Sequence, residues 1–525
     1  MNDWLKLREY WPTVPQFIHE DMPQAPQQLN RQRLFIGICL ALVVTATAFS
    51  VVSNLIGPLK EAFILDNFEL GLIGGAALWG MAISQILLGP FAELSLRRMM
   101  QMAFGCHVLG ITVMLGSTFM EGNPAGFWPL FIGAVVLAFA NGITEVAGNP
   151  MVTSLYPNSK TEHLNKFHVW FPGGILITGI ITYLLSQAGA AWEWQLAMIY
   201  IPAILYGFLL LPEEFPQTES ARAGVSVSEV LKATFGSFIF WVFLFAMLIT
   251  ASIELGPNRW IPPILTNVGI PGILVLAWIN GIMAVMRYYA EPFVERYSPT
   301  LILLFSSVVS GLGLFLLSFA ASTATAFIYA TLFAVGIAFF WPTMLGSVSE
   351  RIPESGAVGM SVLGGAGMLM VGAVTIPLMG QIIDQNVPAQ LPEQETVATI
   401  EEANEVFQDQ LNQVPENLRA DVENTIGLLG SVIDTYESEG QLPPGPTADA
   451  LRSISGSVVD HEVTGRAGQL LAPAEAYGGR QSFKWVAPFA IIIVVIFGIL
   501  HWRDKQAGGY QAKALGAEEG AQAEA

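Results

Sequence analysis

Charge is scarce in this chain. Only 12% of its 525 residues are Asp, Glu, Lys or Arg and 53% are hydrophobic, where soluble proteins carry roughly 25% charge. That shortage excludes a water-facing globule, which would need a polar surface this composition cannot supply. Cysteine is nearly missing too: Cys39 and Cys106 both lie inside apolar runs, so neither a disulfide framework nor a thiolate metal cluster can be built. The six histidines (His19, His107, His163, His168, His461 and His501) form no H-E-x-x-H pair, and no G-x-x-x-x-G-K-[ST] loop for ATP occurs. No metal, cofactor, nucleotide-driven pumping or nucleic-acid partner is expected. Nor is an enzyme, since no nucleophile-and-base constellation emerges.

In place of charge the sequence has long apolar runs. Outer-membrane barrels alternate over segments of about ten residues, whereas here the runs continue for about twenty, the length of a helix crossing hydrocarbon. Six extend from Arg33 to Gly57, Leu70 to Leu94, Met99 to Phe119, Phe127 to Leu155, Asn165 to Gln187 and Trp192 to Leu211. Six more extend from Thr234 to Ile264, Pro271 to Val294, Pro299 to Ala321, Ala324 to Ser349, Ala357 to Ile383 and Trp485 to Trp502. The 51 Gly and 31 Pro are tolerable in such helices because neighbouring helices re-satisfy the backbone. The expected fold is an all-α membrane protein of twelve transmembrane helices in two six-helix bundles, 33–213 and 234–383 completed by 484–503, joined by a central loop at 214–233.

Basic residues remain on the cytoplasmic side of a membrane, and their positions set an orientation. Arg31 and Arg33 precede the first span, Arg97 and Arg98 follow the second, and Lys160 follows the fourth. Arg222, Lys232, Arg296, Arg351, Arg503 and Lys505 continue the alternation, while the short loops after spans three, five and nine hold no Lys or Arg. Both termini, 1–32 and 504–525, are therefore expected in the cytoplasm of a cell whose inner membrane holds the chain. The polar first thirty residues, rich in Pro and Gln, do not read as a cleavable signal peptide.

The segment 384–483 breaks the economy of the other loops. It holds seventeen acidic residues against four Arg, a net of −13 out of −19 for the whole chain. An extracytoplasmic small domain or a disordered insert is expected, either a solvated spacer or a solute-handling element. Glu401 to Leu411 and Glu416 to Ile433 have helix-forming composition, and Leu442-Pro443-Pro444-Gly445-Pro446 reads as a breaker.

Internal duplication ties the two bundles together. Gly89-Pro90-Phe91-Ala92-Glu93-Leu94 ends span two, and Glu291-Pro292-Phe293-Val294-Glu295-Arg296 ends span eight. Phe139-Ala140-Asn141-Gly142 followed by Asn149-Pro150 in span four is matched by Phe333-Ala334-Val335-Gly336 followed by Trp341-Pro342 in span ten. Parallel six-span repeats build one large class of secondary transporters. The sequence resembles the major facilitator superfamily, whose loop signature of a Gly, an acid and a basic pair appears as Gly89, Glu93, Arg97 and Arg98. It departs from that signature in Glu93 for the usual Asp, Leu94 for the usual base and Leu96 for the usual Gly. In a gating loop these charges would form ion pairs in one conformation only; as plain anchors, Arg97 and Arg98 would mark the cytoplasmic side. Glu145-Val146-Ala147-Gly148-Asn149-Pro150 and Leu164-Asn165-Lys166-Phe167-His168 further resemble signatures of the fucose:proton symporter-like branch. That resemblance implies a sugar carrier with a coupling or substrate role for Glu145. The branch's proton-coupled members carry an Asp in span one, where this chain reads Ser50-Val51-Val52-Ser53-Asn54.

Few polar residues lie within the spans, and each has two readings. Glu145 is too deep in span four to reach bulk water by snorkelling, so it is the candidate coupling acid or a structural bond to a neighbouring helix. Asn54 and Asn149 offer both donors and acceptors for hydroxyls, or clasp helices together. Glu254, Asn258 and Arg259 flank Gly256-Pro257 in span seven; Glu254 and Arg259 would form a structural ion pair or touch solute. Arg287 in span eight needs an anion or a wet cavity, and an acidic solute would meet that need. Trp170, Trp260 and Trp341 present flat faces suited to sugar rings, or pack and belt the membrane. His168 stands near the cytoplasmic mouth as a gate, a solute contact or a satisfied structural histidine.

The expected function is secondary transport of a sugar or similar small polar solute through the lipid bilayer by alternating access, by a monomer and with protons as coupling ion. Its rivals are an organic-anion or drug exporter using Arg259 and Arg287, and a non-transporting sensor acting through the acidic insertion.

Overall fold

The computed structural model describes residues 29–63, 65, 67–513 and 515; most of the expected N-terminal segment 1–32, with its signal-peptide reading, and the last residues of the tail lie outside them. Among the described residues, eleven helices are long and apolar enough to cross a membrane, and Gly272–Tyr288 adds a shorter one. The first bundle comprises span one (Arg31–Phe63), two (Asn67–Ala92), three (Leu96–Gly116), four (Phe127–Leu155), five (Lys160–His168 and Trp170–Gln187) and six (Trp192–Ala197 and Tyr200–Leu210). The second comprises span seven (Phe238–Thr266), eight (Gly272–Tyr288), nine (Pro299–Leu317), ten (Thr323–Ile337 and Phe340–Arg351), eleven (Gly356–Met370 and Ile376–Asn386) and twelve (Phe489–Gln506). The twelve-helix, two-bundle architecture expected from the sequence is the one present.

Proline explains where spans break. Spans five, six and ten each interrupt just before Pro172, Pro202 and Pro342, because a proline ring lacks the N–H and crowds the carbonyl four residues earlier. Span eleven instead carries a wide turn at Val371–Thr375, with Thr375 Oγ1 bonded to Ser252 Oγ of span seven at 2.7 Å.

The duplication is visible in packing. Gly110 of span three and Gly133 of span four sit where an added Cβ would strike the facing backbone, and Gly313 of span nine and Gly336 of span ten do the same in the second bundle. Each second-bundle glycine lies 203 residues after its counterpart. Small residues at these crossings let helices approach closely, the main source of cohesion where lipid removes the hydrophobic drive.

One expectation is corrected in the connections. Span seven does not begin at Thr234: Ser226 and Glu229 form a capping box that opens a separate helix, Val227–Gly236, inside the central loop. The break expected at Leu442–Pro446 is present: one helix ends at Glu439, and Pro444 starts the next, Pro444–Ser455, in whose first turn backbone N–H groups have no intrahelical partner to lose. The insertion is a folded helical domain, with helices Glu393–Gln410, Glu416–Glu439, Pro444–Ser455 and Glu462–Val486, the last leading into span twelve. Ile400, Phe407, Leu429, Leu451 and Ile454 form its core. Arg452 clasps it to span eleven, bonding Asp384 and Glu475 at 2.6 Å each and Asp449 at 2.9 Å.

The chain ends gather on one side of the bundle. Arg33 pairs with Glu213 at 3.0 Å, and Arg351 with Asp504 at 2.7 Å, so the starts and ends of both halves share what is called here the tail side; the acidic domain caps the opposite, insertion side.

Candidate functional site

Span four runs between the halves at mid-depth and is buried continuously from Ala140 to Leu155. A 3.6-residue turn places Glu145 and Asn149 on one face. Asn149 Nδ2 donates to Glu145 Oε2 at 2.7 Å and to the Glu145 carbonyl at 3.0 Å, so its Oδ1 is left to accept. His168 Nε2 meets that oxygen at 3.0 Å and therefore carries the proton in this arrangement. The same nitrogen lies 3.9 Å from Glu145 Oε2. A carboxylate, an amide and an imidazole from spans four and five thus form one buried chain.

The second half meets this chain with an ion pair. Arg287 Nη2 donates to Glu254 Oε1 at 2.9 Å, and both side chains are almost fully enclosed. Arg287 also donates through Nε to the Ala338 carbonyl at 2.6 Å and through Nη1 to the His168 carbonyl at 3.2 Å, across the boundary between halves. This corrects two expectations. Glu254 pairs with Arg287, 33 residues away on the next helix, and not with Arg259; and Arg287 has its anionic partner within the protein, so its charge no longer argues for an acidic solute.

Where spans two and seven face span eleven the polar lining is incompletely used. Gly364 of span eleven lies where a Cβ would meet both Trp341 Cζ2, at 3.5 Å, and the Gln85 amide. Gln85 Nε2, Glu254 Oε2, Asn258 Oδ1 and Trp260 Nε1 are buried atoms without a protein partner. Gln85 was not anticipated; its signal was a lone amide within the apolar run of span two. Trp260 lies against Gly380 of span eleven. Towards the insertion side, Arg259 is exposed and its Nη1 reaches Ser53 Oγ of span one at 3.4 Å. Asn54 is held by Gln195 Oε1 of span six at 3.0 Å, a helix-to-helix bond within the first half. Trp170 is 42% exposed and adjoins Cys39 of span one.

The tail side is sealed by polar contacts across the halves. Glu93 accepts from Thr218 Oγ1 at 2.6 Å, from Ser220 Oγ at 2.5 Å, and from the backbone N–H of Ala357 at the start of span eleven. Gly356, at φ +49°, permits this approach, since a Cβ there would strike the Glu93 carboxylate. Gly89 likewise packs on span eleven, where a Cβ would lie 3.1 Å from Ser361 Cβ. Arg97 pairs with Glu214 at 3.2 Å on the exposed surface, and Arg98 is exposed. Residues outside the expected site complete the seal. Buried Lys160 bonds Glu219 at 2.5 Å and the Ser349 carbonyl at 3.3 Å. Thr161 Oγ1 donates to Glu350 at 2.5 Å, and Lys166 pairs with Glu291 at 2.9 Å. Among the described residues, the hydrogen bonds that join one bundle to the other lie at mid-depth or on the tail side, apart from Arg259 to Ser53.

The comparisons agree with this geometry. The Major Facilitator Superfamily model matches residues 38–376. The facilitated glucose transporter member 10 of solute carrier family 2 from Xenopus laevis is 26% identical over 162 residues, which span 31% of this chain and 28% of that protein. Among solved structures, the E. coli fucose:proton symporter FucP aligns with a TM-score of 0.54 at 18% identity, covering 67% of this chain and 92% of its own. The proton:xylose symporter XylE bound to 6-bromo-6-deoxy-D-glucose aligns with a TM-score of 0.57 at 14% identity, covering 79% and 97%. At those identities the structural likeness speaks for the fold, and the family match extends over most of both bundles. With paired six-helix halves, a polar centre between them and a seal on one side, the chain belongs to the Major Facilitator Superfamily and is a multi-pass membrane transporter, not an enzyme.

Proposed function

We propose that this transporter moves a neutral, hydroxyl-rich solute of the sugar class by alternating access, coupled to protons through Glu145. The observation that carries the reading is the set of buried, partnerless donors and acceptors on spans two and seven, both of which pack against span eleven: Gln85 Nε2, Glu254 Oε2, Asn258 Oδ1 and Trp260 Nε1. Buried polar atoms are normally bonded, and hydroxyls can both give to and take from such a set while an indole face covers a sugar ring. The one fully buried cation near them, Arg287, is already paired with Glu254, which disfavours an anion as cargo. The fucose, xylose and glucose transporters to which the chain is similar point the same way.

The tail side is the cytoplasmic side in this reading, as the distribution of Lys and Arg indicates, and the sealed arrangement is then an outward-facing state of an inner-membrane monomer. Glu145 is the coupling group because its carboxylate has one amide donor and a histidine proton nearby, and no cation as a direct partner. Protonation there changes what Asn149 and His168 can bond, and His168 stands at the boundary between halves.

Uptake into proteoliposomes under an inward proton gradient tests the proposal. A panel of labelled aldoses and deoxy sugars should include one that accumulates, and Glu145→Gln should abolish accumulation while retaining exchange. Thermal stabilisation by carboxylates alone would overturn the solute class; accumulation unchanged in Glu145→Gln would remove that residue from coupling.

A further inference from the structure

Proline chemistry leaves two carbonyls in the centre of this molecule without their helical partners. Pro172 has no N–H to offer the carbonyl of His168, and Pro342 has none for that of Ala338. Each break in spans five and ten falls at these residues: the helical pieces end at His168 and resume at Trp170, and end at Ile337 and resume at Phe340. A carbonyl buried at membrane depth must find another donor. Both find the same one, since Arg287 Nε bonds Ala338 O at 2.6 Å and Arg287 Nη1 bonds His168 O at 3.2 Å. The third edge of the guanidinium is fixed by Glu254 Oε1 at 2.9 Å.

We propose that Arg287 is the positioning residue of the inner gate, a single guanidinium that completes one proline-broken helix from each half and so holds the halves closed at mid-depth. Glu254 and Ala338 belong to the same half as Arg287, so two of the three bonds that Arg287 makes persist through any rigid-body movement of the halves. The bond to the His168 carbonyl is the one that must break when the tail side opens. Span five cannot heal itself afterwards, because Pro172 still withholds the missing donor, and water or another group has to enter. The closed state is thereby favoured by a defect written into the sequence of span five.

His168 makes the gate part of the coupling path. Its main-chain oxygen is held by Arg287 of one half, while its ring is bonded through Asn149 to Glu145 of the other. The ring bonds lie within the first half and persist through a rigid-body movement, so the residue that loses Arg287 on opening is the one that stays bonded, through Asn149, to the candidate coupling acid. A planar donor with three edges in use is required for the arrangement; the point charge of a lysine cannot serve two carbonyls and a carboxylate in that plane. The inference rests on alternating access by the two halves and holds whichever solute is carried, so it can fail separately from the sugar assignment.

The test is the accessibility of a cysteine at buried Ser347, beside the tail-side seal, read in purified protein without solute. In a Cys39→Ser, Cys106→Ala, Ser347→Cys background, Arg287→Gln should raise the alkylation rate by N-ethylmaleimide about tenfold, and Arg287→Lys should do nearly the same. Pro172→Ala, which returns the missing N–H to His168, should by itself raise the rate; in the Arg287→Gln background it should add less than about twofold while recovering lost thermal stability, because coupled changes do not add. A role limited to neutralising Glu254 predicts another pattern, rescue by Glu254→Gln and none by Pro172→Ala, and that pattern would overturn the proposal. So would unchanged alkylation in both Arg287 variants. Should Arg287→Gln fail to fold, Pro172→Ala and Arg287→Lys alone decide: a rate unchanged in both refutes the gate.

Discussion

Replacing Glu93 by Gln should open the tail side. The carboxylate takes three hydrogen bonds, from Thr218, Ser220 and the backbone of Ala357, and only the last joins the first half directly to the second. Gln keeps the length of the side chain but loses the charge, and one of its two terminal atoms becomes a donor that cannot accept from an N–H. A hydrogen bond to a charged group is worth about 1.5–3 kcal/mol, and an anion at a helix N-terminus about 0.3–1 kcal/mol. In the open state the freed carboxylate is hydrated, so the net loss belongs near the lower bound, about 1.5–2 kcal/mol. Every 1.4 kcal/mol is tenfold, which moves the closed-to-open ratio by about ten- to thirtyfold. The assay is alkylation of Ser347→Cys in the cysteine-substituted background, since Ser347 is fully buried in the closed arrangement. When opening is fast, the rate follows the open fraction. A rise below about threefold, under 1 kcal/mol, with thermal unfolding unchanged, would show that the bond to Ala357 does not hold the halves together.

Other perturbations read different parts of the molecule. Gly336→Val places side-chain atoms against the backbone of Ser310 and should lower stability in detergent by about 1–3 kcal/mol, seen as a lower unfolding temperature; no change would mean that spans nine and ten are not closely crossed. Ending the chain after Gln506 removes three tail contacts, Tyr510 Oη to Glu350 at 2.5 Å, Lys513 N to the Glu350 carbonyl at 2.8 Å and Leu515 N to Glu219 at 2.9 Å. Both acids also bond span five, so the truncation should raise Ser347→Cys labelling by about three- to tenfold, and equal labelling would make the tail a bystander. Arg452→Ala removes the ties of the helix Pro444–Ser455 to Asp384 of span eleven and to Glu475 in the last helix of the acidic domain. Hydrogen exchange should quicken across its helices while solute flux changes by less than about twofold, since partly exposed pairs contribute ~1 kcal/mol or less each; lost flux would tie the domain to transport.

Some of the site was legible before any fold was known. Glu145 is conspicuous because an acid inside an apolar run is costly wherever the helix packs, and Asn149 follows one helical turn later. The Glu93 loop was readable from its charge pattern, although not its bond to Ala357, 264 residues away. Arg287 was identified but assigned the wrong company: its need for an anion could be read, whereas Glu254 as the supplier could not. Gln85, Thr161 and Glu350 were passed over, and Lys160 was read only as an orientation marker, because each is unremarkable in its own segment and acquires meaning only from a facing helix. His107 belongs with these. Its ring lies 2.8 Å from Tyr206 Oη and 3.0 Å from Asn141 Oδ1, a brace inside the first half.

The sequence by itself determined the membrane, the number of crossings and the duplication. Each follows from local quantities: the hydrophobicity of about twenty consecutive residues and the repetition of short motifs. The tertiary structure alone decided which broken backbone meets which side chain, which side of the molecule is sealed, and that the acidic insertion folds. Those depend on how the two bundles dock and on pairs far apart in the chain, where a change of about an ångström makes or removes a hydrogen bond.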